Sequence, residues 1–358
     1  MGVFVLGMHR SGTSSVTRLI DLLGVPVGEP QLPPQPDNPS GFWEVASLME
    51  VNDDLLARLG GWWDAPPDLP DGWESDQSLD DLRSRAAEVF RAAHPGTTWV
   101  WKDPRVCLLL PFWRPLTGSS DVAMVVLRNP LDVAHSLNRR AQISIPYGLA
   151  LWERYLRAMH RDARGMPALV VRYDDVLDDA AEAVLEIRRF LVARGELDDS
   201  LPYDPDAARE FMRPGLRHTH RARAELDADG RVSPAQRALF DCLDSMAGEH
   251  DSFAPPPLPP ETPLVAELLS ARAEVRTLPQ AGPEGPVPSV AATVDRLERE
   301  LGSAERALAE RDAEAVALRA RMAGVSDDLG GAGVGRVERA ALRVARAIRS
   351  MQRRRPAG

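Results

Sequence analysis

The stretch Gly7-Met8-His9-Arg10-Ser11-Gly12-Thr13-Ser14-Ser15 lies between two patterns of different period. Ahead of it, Phe4, Val5 and Leu6 form a short apolar run of the kind carried by a buried parallel strand, and behind it the apolar residues from Val16 to Leu23 recur at helical spacing. The loop therefore joins strand to helix. A helix opening at Gly12 or Thr13 turns its unpaired N–H groups and the positive end of its dipole toward the loop, and glycine lets the backbone close on an anion without a clashing Cβ. Ser11, Thr13, Ser14 and Ser15 add hydroxyl donors, and Arg10 adds a fixed charge. The spacing approaches the nucleotide triphosphate loop G-x-x-x-x-G-K-S/T, but Thr13 stands where that loop has lysine. The loop thus suits a nucleotide ending in one charged 5′ group better than a γ-phosphate; the plain alternative is a βα turn rich in small residues.

A second strand-to-helix junction follows at Val122 to Ser136. Val122 to Leu127 is a nearly continuous apolar run, typical of a central parallel strand. Arg128-Asn129-Pro130 ends it, and a helix resumes over Leu131 to Arg140 with Asp132 in its first turn. Arg128 leaves the strand end as a fork suited to bidentate phosphate binding, and Ser136 adds a hydroxyl from the helix. The alternative is that Arg128 only pairs with Asp132. Between the two junctions, Trp99 to Trp101 forms a further strand that ends in Lys102-Asp103-Pro104-Arg105. Ligands in open α/β sheets bind beyond the carboxyl ends of the strands, so Lys102 and Arg105 are expected at the same crevice, with Asp103 orienting a neighbouring cation. Lys102 is the sole lysine of the chain.

The motif Arg10-Ser-Gly-Thr-Ser-Ser resembles the 5′-phosphosulfate loop of the sulfotransferases that use 3′-phosphoadenosine 5′-phosphosulfate (PAPS), and Arg128 to Ser136 resembles their 3′-phosphate motif. The resemblance covers roughly the first two-thirds of the chain. It implies PAPS as sulfonyl donor and no metal. It also implies that Gly12 to Ser15 hold the 5′-phosphate, that Arg128 and Ser136 hold the 3′-phosphate, and that Tyr173, in a Tyr-acid pair after the strand Ala168 to Arg172, lies near the adenine. The late basic loop Arg213 to Arg221, with Arg217 as its candidate, is similar to the family's closing loop only in character. Asn38-Pro39-Ser40-Gly41-Phe42-Trp43-Glu44 is similar to a segment that carries the proton-accepting Glu in some bacterial and carbohydrate-directed members. Burial of Glu44 by its two aromatic neighbours would raise its pKa toward a base's working range. The alternative is that Glu44 only opens the helix from Val45 to Leu59. Lys102 and Arg10 would meet the charge that builds on the leaving phosphate and the transferring sulfonyl oxygens.

A net charge of −10 argues against a general nucleic-acid binder. No stretch approaches the length of a membrane span, the first strand begins almost at Met1, and two cysteines make no disulfide framework, so a cytoplasmic protein is expected. Trp62, Trp63 and Trp73 lie in a loop where they would either cap a core or stack on an acceptor.

Residues 253 to 288 are rich in proline, reading as linkers around a short helix from Leu264 to Leu278. Val290, Val294, Leu297, Leu301, Ala304, Leu308, Ala315, Leu318 and Met322 then follow alternating spacings of four and three, interrupted only by Arg311 between Leu308 and Ala315, a coiled-coil seam that predicts self-association. Arg336 to Arg355 reads as a basic amphipathic helix suited to an anionic membrane face or an acidic partner, with a merely solvated tail as the alternative.

The expected architecture is a P-loop-like three-layer α/β/α domain over residues 1 to 252, with a central parallel sheet of strands 3–6, 99–101, 122–127 and 168–172. A linker region (253–288), a coiled coil (289–323) and a flexible segment with a basic helix (324–358) follow. The expected activity is sulfonyl transfer to an acceptor hydroxyl or amine, on a small molecule, glycan or glycolipid. An ATP-dependent small-molecule or nucleoside kinase, or a non-catalytic coiled-coil scaffold with a nucleotide domain, are the alternatives.

Overall fold

The computed structural model describes residues 2–33, 41–118, 120–212 and 221–277. The chain divides into two units, Met1–Gly302 and Ser303–Gly358, and every described residue belongs to the first. The coiled-coil seam, the basic C-terminal helix and Arg217 lie outside the described residues.

Four strands, β1 (Gly2–Leu6), β2 (Trp99–Lys102), β3 (Val122–Leu127) and β4 (Ala168–Arg172), pair in parallel in the order β2-β1-β3-β4. Their side chains alternate between two apolar cores. Phe4, Leu6, Ala123, Val125 and Leu127 face one, while Val3, Val5, Val122, Met124 and Val126 face the other. A sheet buried on both faces requires near-continuous apolar strands, and that is how these strands read.

The expectation of an all-parallel sheet is corrected at one edge, where β5 (Gly248–His250) pairs antiparallel with β4. Its three residues, Gly-Glu-His, carry no apolar alternation. Only the partner's backbone marks them as a strand, and a short polar segment is a common way to finish a sheet edge.

Helix α1 (Thr13–Leu22) packs on one face, with α7 (Tyr173–Asp178), α8 (Ala180–Ala193) and α9 (Pro205–Phe211) contributing to the same core. The other face is covered by α2 (Ala46–Arg58), α3 (Asp80–Ala93), α4 (Val106–Thr117), α5 (Pro130–Ala141) and α6 (Ile145–Asp162). A small satellite core joins α5 and α6 to α10 (Arg223–Ala228) through Leu131, Ile145, Leu149 and Leu226. Helix α11 (Pro234–Asp244) opens on the Ser233–Gln236 capping box with proline at its first position.

The proline-rich segment after residue 252 is extended, and it lies along α6. Phe253 is buried and its backbone pairs with Met166 and Gly165. Arg157 and Arg164 donate to the carbonyls of Pro259, Pro260 and Pro255, and His160 meets that of Pro256. Proline has no N–H to pair but leaves its carbonyls as strong acceptors, which suits a helix rich in arginine. Arg154 grips Glu261 with two hydrogen bonds of 2.9 and 2.8 Å. Helix α12 (Pro263–Thr277) follows and buries Val265 and Leu269 in the core that includes α6.

Candidate active site

The strand order makes the chain turn from β2 back across β1 to β3, so the carboxyl ends of β1 and β3 flank the topological switch point where open α/β sheets bind ligands. The loop after β1 and the strand-end Arg128 after β3 meet there. Arg128 Nη1 donates to the carbonyl of Arg10 at 2.8 Å, and Arg10 Nε donates to Ser136 Oγ at 3.0 Å. Arg10, Arg128 and Ser136, distant in sequence, therefore form one cluster. Arg10 itself adopts a left-handed backbone, φ 70°, a conformation that costs a non-glycine residue about 1 kcal/mol and so points to a locally imposed shape.

Gly12 caps α1 at φ 92°, and a Cβ built on it would lie 2.1 Å from the Tyr173 ring. Tyr173 is buried beneath the loop, its hydroxyl 3.4 Å from Ser15 Oγ and its ring 5.1 Å from the Arg128 guanidinium. The hydroxyls of the loop divide their work. Ser14 Oγ donates to the carbonyl of Phe42 and thereby ties α1 to the segment leading to Glu44. Ser11 and Thr13 are buried, with the Thr13 methyl packed over Gly7. The Gly7 N–H donates to Cys107 Sγ at 3.1 Å, and burial pushes that thiol up to about 12, so it serves as a neutral acceptor.

Positive charge is concentrated beside this cluster. Arg139, one helical turn beyond Ser136, has its pKa lowered by burial and then by the neighbouring charges of Arg128 and Arg221. Three guanidinium groups in mutual repulsion are a fit for a multiply charged anion. Asp132, fully buried, accepts from the backbone N–H and side chain of Arg221 at 3.2 and 3.1 Å, so its partner is the end of the late basic loop. Arg139 escaped sequence reasoning, and Arg221 entered it only as the end of the late basic loop, in which Arg217 was the candidate. For Arg139 the available signal was its place at i+3 from Ser136 on the same helix face.

The second half of the site gathers at the ends of β2 and α2. Lys102 and Glu44, 58 residues apart, form a buried ion pair. Burial raises the Glu44 pKa above the ordinary carboxylate value, against the opposing pull of Lys102. Asp103 accepts from Asn52 Nδ2 at 2.9 Å and from the backbone and guanidinium of Arg105 at 2.9 and 3.0 Å, as a cation-orienting role requires. Arg105 also donates to Asp53 at 2.6 Å.

A cavity of about 330 Å³ opens here, lined by Glu44, Arg10, Arg105 and Arg140 together with Phe42, Met49, Trp63 and Leu137. His9 lines it too. Its ring lies 4.8 Å from that of Trp63 at a tilt of 52° and meets Tyr155 edge-on at 5.8 Å, while its Nε2 has no hydrogen-bond partner among the described residues. Burial first, and then Arg105, Lys102, Arg140 and Arg10, lower its pKa well below the usual imidazole value, so the ring is neutral near pH 7. His9 is the principal site residue that sequence reasoning passed over, although it stands directly beside Arg10 in the loop. Trp73 by contrast is core, and Trp63 is a cavity wall.

No helix among the described residues is long and apolar enough to cross a membrane. No family model matches the sequence, and no curated protein matches it. Solved structures do match. The sulfotransferase domain of the Synechococcus PCC 7002 olefin synthase is 19% identical, over 78% of this chain and 96% of that one, with a TM-score of 0.34. Sulfotransferase STF9 from Mycobacterium avium is 17% identical over 62% of this chain and 69% of its own, with a TM-score of 0.32. The sulfotransferase domain of the curacin biosynthetic pathway is 15% identical over 75% and 96%, with a TM-score of 0.35. All three bear the family name that the two motifs suggested, and the functional reading rests on the site's own geometry.

Proposed function

We propose that the chain transfers a sulfonyl group from PAPS to a hydroxyl or amine on an acceptor seated in the cavity beside Glu44. The observation that supports this most is the joined cluster of Arg10, Arg128 and Ser136 at the switch point, crowded by Arg139 and Arg221. A charge cluster set to one side of a phosphate loop is what a nucleotide with a second, 3′ phosphate needs. The first-turn amides of α1 bind the 5′-phosphate, Arg128 and Ser136 bind the 3′-phosphate, and Tyr173 holds the loop from below. The donor supplies a sulfonyl whose bond to the 5′-phosphate oxygen breaks as the acceptor's oxygen or nitrogen bonds to sulfur. Lys102 and Arg10 meet the negative charge that builds during transfer, and Glu44 accepts the acceptor's proton, with the neutral imidazole of His9 as a second acceptor on the same wall. Phe42, Met49, Trp63 and Leu137 favour an acceptor with an apolar body.

Calorimetric titration with adenosine 3′,5′-bisphosphate, against adenosine 5′-monophosphate and ATP with magnesium, tests the reading. The bisphosphate is expected to bind most tightly, and Arg128→Ala to weaken it about 10- to 100-fold through loss of a charge-assisted contact. Preference for ATP with magnesium, indifferent to the 3′-phosphate, would replace this reading with a kinase.

A further inference from the structure

Helix α12, the last helix among the described residues, reaches the wall of the proposed acceptor cavity through an ion pair. Arg272 on α12 donates to Asp64 Oδ2 at 3.3 Å, and Asp64 is buried. Asp64 sits in a tight turn closed by reciprocal backbone hydrogen bonds between Trp62 and Ala65, of 3.0 and 3.1 Å. Within that turn Asp64 is directed to α12, and its neighbour Trp63 lines the cavity and lies against His9. The turn is pinned from below by α6, whose Tyr147 and Tyr155 hydroxyls each donate at 2.6 Å to the carbonyls of Asp64 and Trp63. The Arg272 guanidinium also lies 6.0 Å from the centre of the Tyr147 ring.

We propose that Arg272 is a positioning residue for the acceptor site: by holding Asp64 it fixes Trp63 against His9 and so sets the shape of the cavity wall. The argument is mechanical and electrostatic. Reciprocal bonds across a turn this tight make residues 62 to 65 one unit, so a tether on Asp64 acts on Trp63. Removing the Arg272 guanidinium takes a charge-assisted contact away from a buried carboxylate, and the readjustment of that side chain moves the turn. The two tyrosine hydroxyls hold backbone carbonyls of the turn, whereas Arg272 holds the side chain that points to α12. The assignment of the cavity to an acceptor rests on the function proposed above; the tether itself does not.

The test uses the full chain labelled with 5-fluorotryptophan. Its eight tryptophans give separate ¹⁹F resonances, that of Trp63 being assigned with Trp63→Phe. Arg272→Ala is expected to shift the Trp63 resonance while those of the core residues Trp101 and Trp113 hold. Asp64→Asn should reproduce the shift from the other side of the pair, and Arg272→Lys should restore part of it. Affinity for adenosine 3′,5′-bisphosphate should stay within about twofold of wild type, as expected for sites without shared partners. An unmoved Trp63 resonance in both variants, or a shift of all tryptophans together, overturns the tether. Failure of the wild-type chain to bind the bisphosphate, with the Trp63 shift intact, overturns the proposed function and leaves the tether standing.

Discussion

The two halves of the site are built differently. On the side proposed for the nucleotide, Arg10, Gly12, Arg128 and Ser136 come from two strand-to-helix junctions, and each junction is contiguous in sequence. On the side proposed for the acceptor, His9, Glu44, Trp63 and Lys102 arrive from separate segments and are held by a buried ion pair, a tilted ring contact and a tethered turn. The first half takes its shape from backbone geometry at strand ends. The second takes its shape from side-chain partners, so it should be the more easily broken by a single substitution and the more easily reshaped.

The largest expected effect follows from that contrast. Lys102→Ala removes the partner of a carboxylate that is only 8% exposed, and leaving one member of a buried pair alone costs about 3–5 kcal/mol. In the variant the Glu44 pKa rises further, so the folded chain binds a proton that the unfolded chain does not. The defect should therefore shrink as pH falls toward the unfolded carboxylate value. Chemical denaturation at neutral and mildly acid pH measures both the loss and its recovery. A double variant, Lys102→Met with Glu44→Gln, should regain most of the stability. Equal loss at both pH values would mean that packing of the lysine stem, not the charge, holds this half together.

The same contrast explains what could be read in advance. The limits of the four parallel strands were legible within a residue because both faces of the sheet are buried and the apolar runs end abruptly at Gly7, Lys102 and Arg128, whereas the polar β5 carried no such signal. Both junctions were legible because the loop residues and the helix share one short stretch. The pairing of Glu44 with Lys102 was not, since nothing in either segment specifies a partner 58 residues away. His9 stood in the most closely read loop, yet its environment is made by Trp63 and Tyr155, which the sequence leaves unlinked to it. The proline-rich segment read as a linker because its own composition is stiff and without periodicity; its contacts are supplied by the arginines of α6 and the residues just beyond it.

Gly12→Ala probes the backbone-built half. It places a Cβ against the Tyr173 ring and asks an L-residue to keep φ 92°, two strains that together cost on the order of 1–3 kcal/mol. Thermal unfolding should register that loss, and bisphosphate affinity should fall with it because the displaced Tyr173 ring also supports Arg128. Tyr173→Ala costs stability of its own by emptying a buried site, so Gly12→Ala is read in that background, where it should cost less than in the wild type but not nothing, because the backbone strain remains. A Gly12→Ala that costs nothing there would show that contact with the ring, rather than the loop's conformation, fixes the glycine.

The smallest effect asks whether the halves sense each other. His9 belongs to the cavity, but Arg10 of the phosphate loop is among the charges that depress its pKa. In the folded chain the imidazole stays neutral below its unfolded pKa of about 6.5. The unfolded chain therefore takes up the proton first, and this group's share of stability is present at neutral pH and is lost as pH falls below that value. An anion bound at the loop offsets the positive field, so adenosine 3′,5′-bisphosphate should move the His9 titration upward when followed by imidazole NMR. Adenosine 5′-monophosphate should move it as well at saturation, because the proposed 5′-phosphate site lies on the loop that carries Arg10. A titration unmoved by either nucleotide would mean that the nucleotide does not reach the loop beside His9, and the division into two neighbouring halves would have to be redrawn.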